Sequence, residues 1–290
     1  MTKLSPILLG LSLAVAGSAL TAAQETPTAT SSMPKVLTIM REFIKPGKSG
    51  AAHDKSESAF VQAMARAKWP THYIALNSLS GKSRALYITP YASYEAWGKD
   101  NDAVEKNKTL MAELERASVA DGELLDSMET GIFTYNESMS YNADGDLSHA
   151  RYMELTLYHI RHGHGEEFRE AVKKIIDAHK QGGSTAHWAT FHLDYGGAGG
   201  TYIMFTAYKS LADLDSNGGN DMRAHDSIGE ENWKKVMKTY GEAVDSTNRE
   251  LFSINPRQSY PPEEWVKAAP DFWKPKPAAK SAMEEKKAKP

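Results

Sequence analysis

From Val36 to Ile44 apolar residues occupy most alternate positions, and the run stops at Lys45-Pro46-Gly47-Lys48. That pattern, closed by a Pro-Gly turn, predicts a β-strand. It returns from Tyr152 to Ile160, followed by Arg161-His162-Gly163-His164. A helical period follows each turn. Phe168, Val172, Ile175 and His179 recur at three- and four-residue steps among charged residues, one face of an amphipathic helix. The first stretch has a weaker stripe of Ala52, Ala59, Phe60, Ala63, Met64 and Ala67. A hairpin comes next in each case: 71–76 with 85–89 through Ser80-Gly81-Lys82, and 186–191 with 201–205 through the glycines of 196–200. Ser93 and Ser210 then open short segments with N-cap chemistry. A longer amphipathic helix follows, clearest in Trp233, Val236, Met237, Tyr240 and Val244.

Each half closes on the same phrase. Asp126-Ser127 through Phe133, Asn136 and Ser140-Tyr141 is repeated in register as Asp245-Ser246 through Phe252, Asn255 and Ser259-Tyr260. A repeat at this period indicates tandem duplication. The order strand, helix, two strands, helix, strand is the ferredoxin-like βαββαβ unit. The expected fold is therefore α+β, with repeats at 35–141 and 150–260 joined by a linker at 142–149. Residues 24–34 read as a flexible lead-in. Residues 261–290 read as a largely disordered Pro/Lys/Ala-rich tail, with Trp265, Phe272 and Trp273 able to tether its first part.

Phe43-Ile44-Lys45-Pro46-Gly47-Lys48, leaving a strand for a helix, resembles the opening of dimeric α+β barrel proteins, closest in style to the NIPSNAP-like and antibiotic-monooxygenase-like families. Ile160-Arg161-His162-Gly163-His164, leading to Glu167-Phe168, repeats that opening. The resemblance implies that the two units pair into one intramolecular barrel able to enclose a ligand. It allows a cofactor-independent or haem-dependent monooxygenase-like oxidoreductase, with His72 or His187 as acid/base or axial ligand. No catalytic signature of one branch is present.

Composition narrows the setting. The formal net charge of −3 gives no basic field for nucleic acid, and the absence of cysteine excludes disulfides and thiolate chemistry. Residues 1–23 combine Lys3, an apolar run from Ile7 to Ala16 and the small residues Thr21-Ala22-Ala23, a cleavable signal peptide for a periplasmic or extracellular protein. No later run is long enough to span a bilayer.

Candidate chemistry is sparse. His159, His162 and His164 cluster, but the other half builds the same turn with Phe43, Pro46 and Lys48, so no metal site is expected. The glycines of 196–200 lead into a strand, as a hairpin turn does and a phosphate loop does not. His72 and His187 coincide between halves, as do Tyr87 and Tyr202. If Met153, Leu155 and Leu157 face the helices, then Tyr152, Glu154, Thr156 and Tyr158 face the barrel interior. The candidate ligand set is His72, Tyr87, Tyr152, Glu154, Tyr158, His187 and Tyr202, around a small apolar or aromatic molecule between the repeats. Haem is the one cofactor the resemblance admits. A filled barrel serving as a structural protein of the cell envelope is the remaining class.

Overall fold

Eight antiparallel strands close on themselves in the order β1-β3-β2-β8-β5-β7-β6-β4. The computed structural model describes residues 33–274. The signal-peptide reading of 1–23, most of the lead-in and the tail beyond 274 lie outside the described residues. Strands β1 (Val36–Ile44), β2 (Ile74–Ser78), β3 (Arg84–Tyr91) and β4 (Leu125–Tyr135) come from the first half. The second half supplies β5 (Tyr152–Ile160), β6 (Ala189–Tyr195), β7 (Thr201–Tyr208) and β8 (Val244–Ile254). The order β4-β1-β3-β2 recurs as β8-β5-β7-β6, and the ring closes through β2·β8 and β4·β6. Even the irregularities match, with register shifts at Phe43/Ile44 and at His159/Ile160.

Helices cover the outside. The first half carries α1 (Ala51–Ala67), α2 (Tyr94–Lys106) and α3 (Lys108–Gly122). The second carries α4 (Gly165–Gln181), α5 (Asn217–Ile228) and α6 (Glu230–Ala243). Local chemistry sets their ends. Ser93 caps α2 by accepting from the Ala96 N–H at 3.1 Å, and Lys68 ends α1 in the left-handed region at φ 50°. Gly196 stands at φ 93° in the turn between β6 and β7, where a Cβ would collide with the Thr130 carbonyl of β4. That turn is a hairpin crossing a neighbouring strand at close range, so glycine is required there.

The barrel interior is an apolar core. Leu37, Ile39, Leu76, Leu86, Phe133, Met153, Leu155, Phe191, Ile203, Phe205, Phe252 and Ile254 form one buried cluster drawn from all eight strands. An eight-stranded barrel is just wide enough for its own side chains to fill. Beyond the last strand, α7 (Glu263–Ala268) and α8 (Pro270–Trp273) join this core through Ala269 and the 4 % exposed Trp273. The Trp273 indole donates to the Ser148 carbonyl at 2.9 Å, fixing the segment in place. Among the described residues, no helix is long and apolar enough to cross a membrane.

Candidate functional site

The strand faces are the reverse of the sequence expectation. Met153 and Leu155 point into the barrel with Leu157 packed on them, so Glu154, Thr156 and Tyr158 of β5 face the helices. The narrow interior takes the aliphatic set, and the polar, aromatic face is roofed by helices that leave space. Apolar side chains therefore occupy the interior along β5, and Glu154 and Tyr158, expected inside the barrel, stand on its outer face.

The space lies on the other side of the sheet. A cavity of about 850 Å³ separates the outer face of β5, β7 and β8 from α4, α5 and α6. Phe168, Val172 and Ile175 of α4 and Trp233, Met237 and Tyr240 of α6 form its apolar walls. Its floor carries Glu154, Thr156, Tyr158, Thr206 and Arg249. Arg249 clasps Glu154 with Nε to Oε1 at 2.8 Å and Nη2 to Oε2 at 2.9 Å, a bidentate, charge-assisted pair. The hydrogen bond to Glu154 raises the arginine's pKa further. Burial raises the Tyr158 and Tyr240 phenols, so both hydroxyls are neutral donors.

His179 ends the apolar stripe of α4 at the cavity wall, 3 % exposed. Its ring is held between Tyr141 and Trp188, with centroids at 5.8 and 5.2 Å. Its Nδ1 lies 2.9 Å from Ser184 Oγ, and that hydroxyl donates to Asn220 Oδ1 at 3.1 Å. The Ser184 hydroxyl fixes the orientation of the ring, and the direction in which that hydroxyl points sets the tautomer. Burial lowers the pKa of this imidazole, only partly opposed by Asp221 at 3.8 Å. The result is a neutral base held in a fixed orientation.

Of the expected ligand residues, Glu154, Tyr158 and His187 line this cavity. Tyr202 is packed behind the wall, its ring 5.4 Å from Phe168 and 5.0 Å from His192. Tyr152 pairs with Tyr208 and Ser253 at the start of β5 and does not line the cavity. His72 and Tyr87 belong to the other half; His72 rests against Tyr260 at 4.7 Å with its pKa lowered by burial. Of the two histidines offered as haem ligands, His187 lines the cavity with Nε2 committed to the Ala207 carbonyl at 2.7 Å, which leaves Nδ1, and His72 lies outside it.

The corresponding place in the first half is filled differently. Glu42 of β1, His53 and Glu57 of α1 and Asp121 of α3 converge there, each 1–3 % exposed. His53 Nε2 lies 3.1 Å from Glu42 Oε2, 3.6 Å from Asp121 Oδ1 and 4.0 Å from Glu57 Oε1. Desolvation raises the Glu42 pKa and lifts that of Glu57 to about 9, with the neighbouring carboxylates adding to the rise in Glu57. Among the described residues the group whose ligand atoms come together is this one and does not include His159, His162 or His164. The signal was the weak apolar stripe of α1, whose buried face carries His53 and Glu57 one turn apart.

No protein-family model matches the chain, and no curated protein matches it. Among solved structures, a protein from Fusobacterium nucleatum provisionally assigned as a monooxygenase is similar with a TM-score of 0.53 at 11% identity, covering 77% of this chain and 93% of that one. A provisionally assigned monooxygenase from Lactobacillus acidophilus gives a TM-score of 0.48 at 10% identity, over 76% and 94% of the two chains. A mutant chlorite dismutase from Candidatus Nitrospira defluvii gives 0.46 at 10% identity, over 82% and 96%. The Fusobacterium likeness is one of fold: a mixed α/β chain whose closed antiparallel barrel is similar to the dimeric α+β barrel proteins.

Proposed function

We propose that the chain binds a small, flat, mostly apolar molecule in the sheet–helix cavity of its second half. The cavity itself carries this reading. Its size and its mixture of aromatic walls with a few polar groups are those of small-molecule sites. The ligand's apolar body lies against Phe168, Val172 and Trp233, and a hydroxyl or carboxylate edge meets Arg249, Tyr158 and His179. Trp188 and Trp233 line the cavity, so binding is readable in tryptophan emission. Titration with a panel of phenols and aryl carboxylates is expected to give saturable quenching that Trp233→Phe diminishes. Absence of saturable binding by every member of the panel would remove the reading.

A second reading is favoured by His179, a buried imidazole at the cavity wall whose lowered pKa keeps it neutral. With Nδ1 carrying the ring proton, Nε2 takes a proton from an acidic O–H or C–H of a bound aromatic molecule. That is the opening step of a cofactor-independent, monooxygenase-like oxidation in which dioxygen is the oxidant. His179→Gln is expected to retain ligand binding and to abolish oxygen consumption. Unchanged consumption would exclude His179 as the base.

The architecture belongs to the same proposal. Two ferredoxin-like repeats, 35–141 and 150–260 with a linker at 142–149, arose by tandem duplication within a NIPSNAP-like or antibiotic-monooxygenase-like lineage. The recurrent strand order and the matching register shifts support this. Export follows from the N-terminal pattern, and the mature chain begins at Gln24. An intact mass that still includes residues 1–23 would contradict that.

A further inference from the structure

We propose that Glu42, His53, Glu57 and Asp121 bind one first-row divalent cation, of the Mn(II) or Fe(II) class, beneath α1 and α3. One ligand atom from each lies within 4.8 Å of all the others. A cation with bonds of about 2.1 Å spaces its ligands roughly 3–4 Å apart, so small side-chain rotations complete the shell. Three carboxylates face one imidazole, and among the described residues no lysine or arginine pairs with them. In a buried site three such groups cannot all ionise without added positive charge.

A second observation points the same way. The Tyr87 hydroxyl, on a side chain 5 % exposed, faces Glu42 and Glu57 and interacts with both, yet makes no hydrogen bond of ordinary geometry. Glu57 Oε1 has no hydrogen-bond partner either. Buried polar atoms are seldom left so, and here they converge on one point. His53 presents its Nε2 to the carboxylates and its Nδ1 to the Gln258 side-chain amide at 3.2 Å; ligation through Nε2 requires that amide to turn over, so that its Oε1, which has no hydrogen-bond partner, accepts from Nδ1–H.

Packing alone does not demand these residues. In the second half the matching elements β5, α4 and α6 bring Tyr158, Phe168, Val172 and Tyr240 together in an apolar and aromatic cluster. The fold therefore accepts an uncharged filling at this level. Three oxygen ligands and one imidazole nitrogen suit a cation between hard and borderline: Mn(II) and Fe(II) ahead of Ca(II) or Mg(II) on account of the nitrogen.

The test uses the full chain stripped with chelator and titrated with Mn(II), following the free-ion signal by electron paramagnetic resonance. The expected result is one tight equivalent, weakened at least about tenfold in both Glu57→Gln and His53→Gln. No binding by the wild type, or binding that both substitutions leave unchanged, overturns the site. If either variant fails to fold, anomalous diffraction at the manganese edge from wild-type crystals decides. A peak among the four side chains supports the proposal, and a peak elsewhere or none overturns it.

Discussion

His179 and Glu57 occupy buried helical positions in opposite halves, and burial favours the neutral form of each, lowering one pKa and raising the other. His179 has a folded-state pKa below the ordinary 6.5, so the folded chain binds fewer protons than the unfolded one in acid. Its contribution to stability is present above pH 6.5 and is lost as pH falls. Thermal unfolding of His179→Gln should accordingly fall less steeply than wild type between pH 7 and 5. Glu57 runs the other way, with a folded pKa of about 9 against 4.5. Its neutral form stabilises the fold fully below pH 4.5, and that stability is lost as pH rises through about 9. In chelator, Glu57→Gln is expected to flatten this decline and to melt higher than wild type at pH 8. Equal melting temperatures at that pH would show that Glu57 is ionised in the folded apoprotein. Both residues were visible in the sequence, His179 as a polar member of an apolar stripe and Glu57 as a gap in one. Neither pattern says what stands opposite, because the partners come from other elements: Asp121 is 64 residues from Glu57 in the chain, and Glu42 is on a strand.

At the scale of elements, β5 decides where a ligand can go. Its inward residues belong to the barrel core, so Leu155→Ala should cost about 2–5 kcal/mol in denaturant unfolding while leaving ligand affinity in the folded protein unchanged. Affinity lost in proportion to stability would return the site to the barrel interior. The Ser93 cap is a smaller test. Ser93→Ala removes the acceptor for the Ala96 N–H and should cost about 1 kcal/mol by the same measurement. β1 and β5 were legible to the residue, since alternation there ends at a turn with a glycine. β4 and β8 were longer than the sequence implied. Ser127–Glu129 pairs with β1 through its backbone while its side chains stand in solvent, which leaves no alternation to read. The inward face of β5 was left open by the sequence for a related reason. Period two separates the faces of a strand, but only closure of the barrel determines which face has room.

Across the whole molecule, two similar halves share one core and differ in what they hold outside it. The barrel closes through short ladders, Leu76–Ser78 against Phe252–Ile254 and Ile132–Tyr135 against Phe191–Tyr195. Phe133, Phe191, Phe252 and Ile254 at those seams tie the halves together. On the outer faces, one half leaves an aromatic cavity and the other a carboxylate–histidine cluster. The sequence repeat revealed the common frame, and the divergence appears only once the two faces are set side by side. The placement of the ligand in the second-half cavity is tested most directly by native mass spectrometry. Wild type and Val172→Trp, whose larger side chain fills that cavity, would be purified gently and in parallel from the native host. A small molecule retained by the wild type and missing from Val172→Trp is the predicted result. A bare wild-type mass, or a molecule that both proteins retain equally, would contradict it.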